Sequence, residues 1–211
     1  MSVNYTYISI ISGVLPVIAA LYNYRHLNSV LKIAALFFLI STMFDWGYEI
    51  ASHYHVMNNF PGIHIFIFTA LLFYSIIYYK VSSSLVLKRV VFILSAIGFL
   101  VLIISTIFFE GFMDYPSIAN TVLSMVVIVF SLMYFYQLLS RQEFVHIEKQ
   151  GLFWISAGVL LYFATNVFLF MLFKRILEDH QEDLYMIHTV TNIIANILFT
   201  VGILCKPQQT A

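Results

Sequence analysis

The chain has 211 residues, 62% of them hydrophobic and 9% charged, with a mean hydropathy of +0.93. Soluble domains carry about 25% charged residues, so a chain this poor in charge cannot cover its own surface in water and reads as an integral membrane protein. Ten basic residues balance ten acidic ones, so nothing argues for nucleic acid, and the lone Cys205 excludes an internal disulfide and a cysteine-built zinc site.

No Lys or Arg precedes Arg25. The N-terminus therefore lacks the basic region of a cleavable signal, and its first apolar segment is expected to be retained. A bilayer-spanning helix needs roughly 20 apolar residues. Seven segments qualify: residues 5–23, 32–52, 62–80, 90–109, 117–138, 151–173 and 185–205. The expected fold is all-α, a single seven-helix transmembrane domain over residues 1–211. The runs are continuous rather than alternating in polarity, which argues against a β-barrel. Pro16 is the one deep proline and glycine is sparse, so no span is expected to be interrupted.

Orientation follows from Lys and Arg. Connections one, three and five, with their helix ends and the tail, carry Arg25, Lys32, Lys80, Lys88, Arg89, Arg141, Lys149 and Lys206; the opposite side has Lys174 and Arg175. Eight against two predicts N-terminus out and C-terminus in, in a cytoplasmic (inner) membrane.

Helices 1–3 and 5–7 look related. LYNY at 21–24 matches MYFY at 133–136, Asp45 and Glu49 fall opposite Tyr162 and Asn166 at an offset of 117, and His64 falls opposite His188 at 124. Both halves would run in the same direction, with helix 4 as the linker that permits a parallel repeat. This 3+1+3 plan resembles the SWEET sugar-carrier family. The chain departs from PQ-loop relatives in having no Pro-Gln pair within a span, since Pro207-Gln208 lies in the tail.

Polar residues gather in the outer half. Ser41, Asp45, Glu49 and His53 form an i, i+4 series on one helix face, and His188, Asn192, Asn196 and Thr200 form another. Asp45 lies about 9 Å from the outer end of its helix at 1.5 Å per residue. Asn192 and Asn166 fall at similar depth, Tyr162 lies below Asn166, Asn120 and Ser124 come from helix 5, and His64 opens helix 3. The cytoplasmic half reads as almost wholly Leu, Ile, Val and Phe. An Asp at a helix centre costs about 2.5–3.5 kcal/mol on insertion scales. Such a group normally faces the bundle interior or a wet cavity, whereas Asn, Ser, Thr and His often only join helices. The predicted ligand-binding set is Asp45, Glu49, His64, Tyr162, Asn166, His188 and Asn192.

Three functions stay open. The first is a receptor-like protein binding a small ligand or ion in an outward cavity and signalling to a separate cytoplasmic partner. The second is a small-solute or proton-coupled carrier. The third is a zinc-dependent hydrolase, with Glu49, His53, His64 and His188 as candidate ligands for a metal ion. Seven-helix hydrolases of the ceramidase and adiponectin-receptor type carry a paired HxxxH on the last helix, but here that place reads His188-Thr-Val-Thr-Asn192. The last helix has no Lys for a retinal Schiff base, and there is no nucleotide-binding motif or serine nucleophile elbow. Catalysis is therefore not the leading expectation.

LYNYRHLN, the FDW around Asp45, FWISAGVLLYFATNVFLF and IHTVTNIIANILFTVGIL together resemble a family of small seven-helix inner-membrane proteins of Bacteroidota. That family is similar to the membrane sensor regions joined to some histidine kinases. The resemblance implies a sensory or signalling accessory role and supplies no catalytic residues. The chain ends at Ala211 with no kinase domain.

Overall fold

The computed structural model describes residues 2–54, 58–140, 147–178 and 182–205; Arg141 and Lys206 of the expected basic side lie outside them. The helices are α1 (Ser2–Ser12), α2 (Val14–Asn23), α3 (Ser29–His53), α4 (Phe60–Val81), α5 (Leu85–Ile104), α6 (Ser117–Leu139), α7 (Gly151–Glu178) and α8 (Glu182–Leu204). With α1 and α2 forming one span, seven helical segments are long and apolar enough to cross a membrane.

Capping explains why several helices start earlier than hydropathy suggests. The Asn28 side chain accepts from the Leu31 amide at 2.9 Å, so α3 begins before Lys32. The Ser84 hydroxyl accepts from the Leu87 amide at 3.1 Å, which places Lys88 and Arg89 inside α5. In each case a side-chain oxygen satisfies an orphan amide of the first turn. Helix α5 runs on into a π-helical turn, Ser105–Glu110, and ends at Gly111, whose φ of +72° suits a residue without a Cβ. The Glu110 carboxylate then accepts from the amides of Ile118 and Ala119, capping α6 with a negative charge.

The first span runs through one irregular residue without ending there. The regular hydrogen-bond pattern breaks at Gly13, which keeps right-handed helical dihedrals and whose amide is shared between the Ser9 carbonyl (3.3 Å) and the Ile10 carbonyl (3.1 Å). Pro16 lies three residues on and has no N–H to offer the Ser12 carbonyl. The Thr42 hydroxyl of α3 reaches across to the Gly13 carbonyl at 2.9 Å.

The principal contacts form a closed ring in the order α2, α3, α4, α6, α7, α8 and back to α2, with α5 outside the ring against α4 and α6. In lipid, helices associate through close packing rather than exclusion of water. Helices α7 and α8 approach closely. A Cβ on Gly151 would press on the Gly202 carbonyl oxygen, and one on Gly202 would lie 2.6 Å from that of Gly151. Leu, Ile and Phe side chains of the outer faces are left exposed, as a lipid-facing surface requires.

The half of the bundle nearer the basic connections holds a few hydroxyls among its apolar side chains. The Tyr78 hydroxyl bonds both Ser131 (2.9 Å) and Ser156 (3.1 Å), joining α4, α6 and α7, and Ser95 bonds Ser75 at 2.7 Å. These are short hydroxyls satisfying one another between helices, where sequence alone shows only scattered Ser and Tyr.

Candidate functional site: a chamber within the helix ring

Inside the ring, in the half away from the basic connections, lies a chamber of about 110 Å³. Every helix of the ring contributes lining and α5 contributes none. Its polar lining includes Asp45, Tyr162, His188 and Asn192, and its floor is aromatic. Above it a vestibule of about 250 Å³ is lined by Ser9, Tyr48, Glu49, Ser52 and Asn59, among others. Asp45, His188 and Asn192 line both spaces. They mark the passage between mouth and chamber.

Four of the predicted residues line the chamber together: Asp45, Tyr162, His188 and Asn192. Glu49 stands one helical turn further out, in the vestibule only, with the Tyr7 hydroxyl as a hydrogen-bond partner. Asn166 is fully buried behind the lining. Its amide donates to the Tyr162 carbonyl at 2.7 Å, which orients the side chain so that Oδ1 faces His188 Nδ1 at 3.2 Å. An acceptor there places the ring proton on Nδ1 and makes Nε2 the acceptor position of the neutral imidazole. Asn166 is a positioning residue.

His64 lies elsewhere. It is 1% exposed, with Nε2 at 3.2 Å from the Asp114 carbonyl and Nδ1 at 3.2 Å from the Thr106 hydroxyl, and it stacks on Phe112 at 5.4 Å. It therefore ties α4 to the π-turn and the loop after it. His53 sits at the exposed end of α3. Among the described residues, no three His, Cys, Asp or Glu side chains converge as a metal-ligand set, so the candidates Glu49, His53, His64 and His188 do not form one site.

Asp45 is half-buried and makes no hydrogen bond or ion pair with the described residues. Its Oδ2 lies 3.7 Å from where a Cβ on Gly13 would stand, so the carboxylate faces the break in the first span. The Tyr48 hydroxyl is nearby, buried and without a hydrogen-bond partner among the described residues.

The amides around it are engaged. Asn192 donates to Ser9 at 2.8 Å and Asn196 to Ser12 at 2.9 Å, holding α8 against α1, while Asn120 donates to Tyr115 at 3.1 Å. Ser9, Ser12, Gly13 and Thr42 escaped the sequence reading. Small residues recur throughout the spans, and only the partner across the gap distinguishes these.

The floor is a continuous set of ring contacts. Phe37 meets Tyr74 edge-on at 4.9 Å, Tyr74 meets Phe163 at 5.8 Å, and Phe38 stacks on Phe199 at 4.7 Å. Beyond the floor and the Tyr78 cluster, a second vestibule of about 320 Å³ opens toward the basic connections, lined in part by Asn28, Tyr134, Gln137 and Gln150. Comparison with family models, curated proteins and solved structures finds no match for this chain.

Proposed function

We propose that this chain is a receptor-like protein of the cytoplasmic membrane that binds a small ligand or ion in the chamber and signals its occupancy to a separate partner. The observation that carries this reading is the shared lining: Asp45, His188 and Asn192 bound both vestibule and chamber, so one polar path leads inward and stops at an aromatic floor. The excess of Lys and Arg on the other side supports a mouth that faces outward. Occupancy would act on the Gly13 break, because Thr42 of α3 holds the Gly13 carbonyl and Asp45 lies beside it. The resemblance to kinase-linked sensor regions fits this role.

A carrier is the second reading, and one observation favours it. The basic-side vestibule leaves only the floor and the Tyr78 cluster between two open spaces.

Thiol accessibility separates the two. In a Cys205→Ser background, Asn192→Cys is treated from either side of the membrane with an impermeant thiosulfonate. Labelling from outside alone is expected of the receptor, and labelling from both sides of the carrier. Labelling from the cytoplasmic side alone, or none in folded protein, refutes an outward chamber.

A further inference from the structure

We infer that the chamber takes a small organic ammonium ion. This deepens the binding reading above and rests on it. The inference comes from what the lining offers once existing bonds are counted. Asp45 brings a carboxyl group that no described residue pairs, and among the described residues no Lys or Arg lines either the chamber or the vestibule. Glu49 adds a second carboxylate along the entry. A cleft of one charge sign raises the local concentration of counter-ions and speeds their entry.

The nature of the cation follows from the floor. A hard metal ion needs about six oxygen ligands, whereas much of this wall is Phe and Tyr. The Thr42 hydroxyl is already on the Gly13 and Phe38 carbonyls. Aromatic faces attract alkylammonium ions through their quadrupoles, most strongly where water is excluded. Phe37, Phe38, Tyr74, Phe163 and Phe199 line the same chamber as the Asp45 carboxyl.

Sugars are disfavoured by the same count. A polyol needs several side chains that both donate and accept, yet Asn192 and Asn196 are oriented by bonds to Ser9 and Ser12. Those bonds leave amide oxygens as acceptors, which again suit an N–H donor. A volume of 110 Å³ admits about four or five heavy atoms, judged against an engineered cavity of about 150 Å³ that holds benzene.

The test is isothermal titration of the full chain in nanodiscs with methylammonium and tetramethylammonium, against neutral tert-butanol and anionic pivalate. At least one cation should bind, and at least tenfold more tightly than tert-butanol. Asp45→Asn should weaken that binding at least tenfold, and Phe199→Leu about threefold. Both variants must first show wild-type helicity; if Asp45→Asn misfolds, the cation-over-neutral ratio on the wild type decides. If neither cation outbinds tert-butanol, or if a folded Asp45→Asn binds as the wild type does, the ammonium assignment falls. Outside labelling of Asn192→Cys then shows separately whether the outward chamber itself survives.

Discussion

Replacing Gly202 by alanine puts a methyl group where the backbone of α7 already lies. The new Cβ would stand 2.6 Å from the Gly151 carbonyl oxygen and 2.8 Å from Ile155 Cγ1, about 0.8 Å inside the 3.4 Å at which ordinary contact begins. The obstructing oxygen belongs to the main chain, so no rotamer relieves it and α8 must move outward. A gap of 0.5–1 Å forfeits roughly a quarter to a half of the dispersion well for each separated pair. Overpacking of this kind costs about 1–3 kcal/mol. The higher helix propensity of alanine returns about 1 kcal/mol, leaving a net loss of up to about 2 kcal/mol. Gly47 supplies the control, because a Cβ there meets nothing within 4 Å. Gly47→Ala should stabilise α3 by about 0.5–1 kcal/mol. Unfolding by sodium dodecyl sulfate in bicelles, followed by circular dichroism, measures both variants. Equal stability of the two would refute the close α7–α8 crossing.

Other predictions rest on single groups. Tyr48→Phe removes a buried hydroxyl that has no partner among the described residues; such a group costs about 1–3 kcal/mol, so the variant should be at least as stable as the wild type, and a measured loss would reveal a partner for the hydroxyl. Asn166→Leu deletes the acceptor at His188 Nδ1; nitrogen NMR of the labelled imidazole should then show the proton shared between Nδ1 and Nε2, and an unchanged spectrum would mean that Asn166 does not set the tautomer. Glu110→Gln weakens the cap on α6 and should cost about 0.5–1 kcal/mol, seen as faster hydrogen exchange at the Ile118 and Ala119 amides.

What the sequence determines alone is local. A run of about 20 apolar residues demands a helix in lipid whatever its neighbours are, because every backbone polar group must be satisfied within the segment. The seven spans are therefore legible in hydropathy, and so is the depth of Asp45, which needs only its distance from a helix end. Helix starts at Asn28 and Ser84 could also have been read from their side chains, had capping been weighed against the charges that follow.

Rotation about each helix axis is a different matter. The spans are apolar on nearly all sides, so the pattern does not say which face turns inward. That is why His64, at a suitable depth, packs against Thr106 and Asp114, while Tyr74 on the same helix forms part of the chamber floor. The i, i+4 series on α3 and α8 did place Asp45, His188 and Asn192 on inward faces. The break at Gly13, the serine partners of Asn192 and Asn196, and the place of α5 outside the ring depend on which helices meet. Interhelical packing decides these, because each is a relation between segments distant in the chain, and hydropathy is the same with or without the partner.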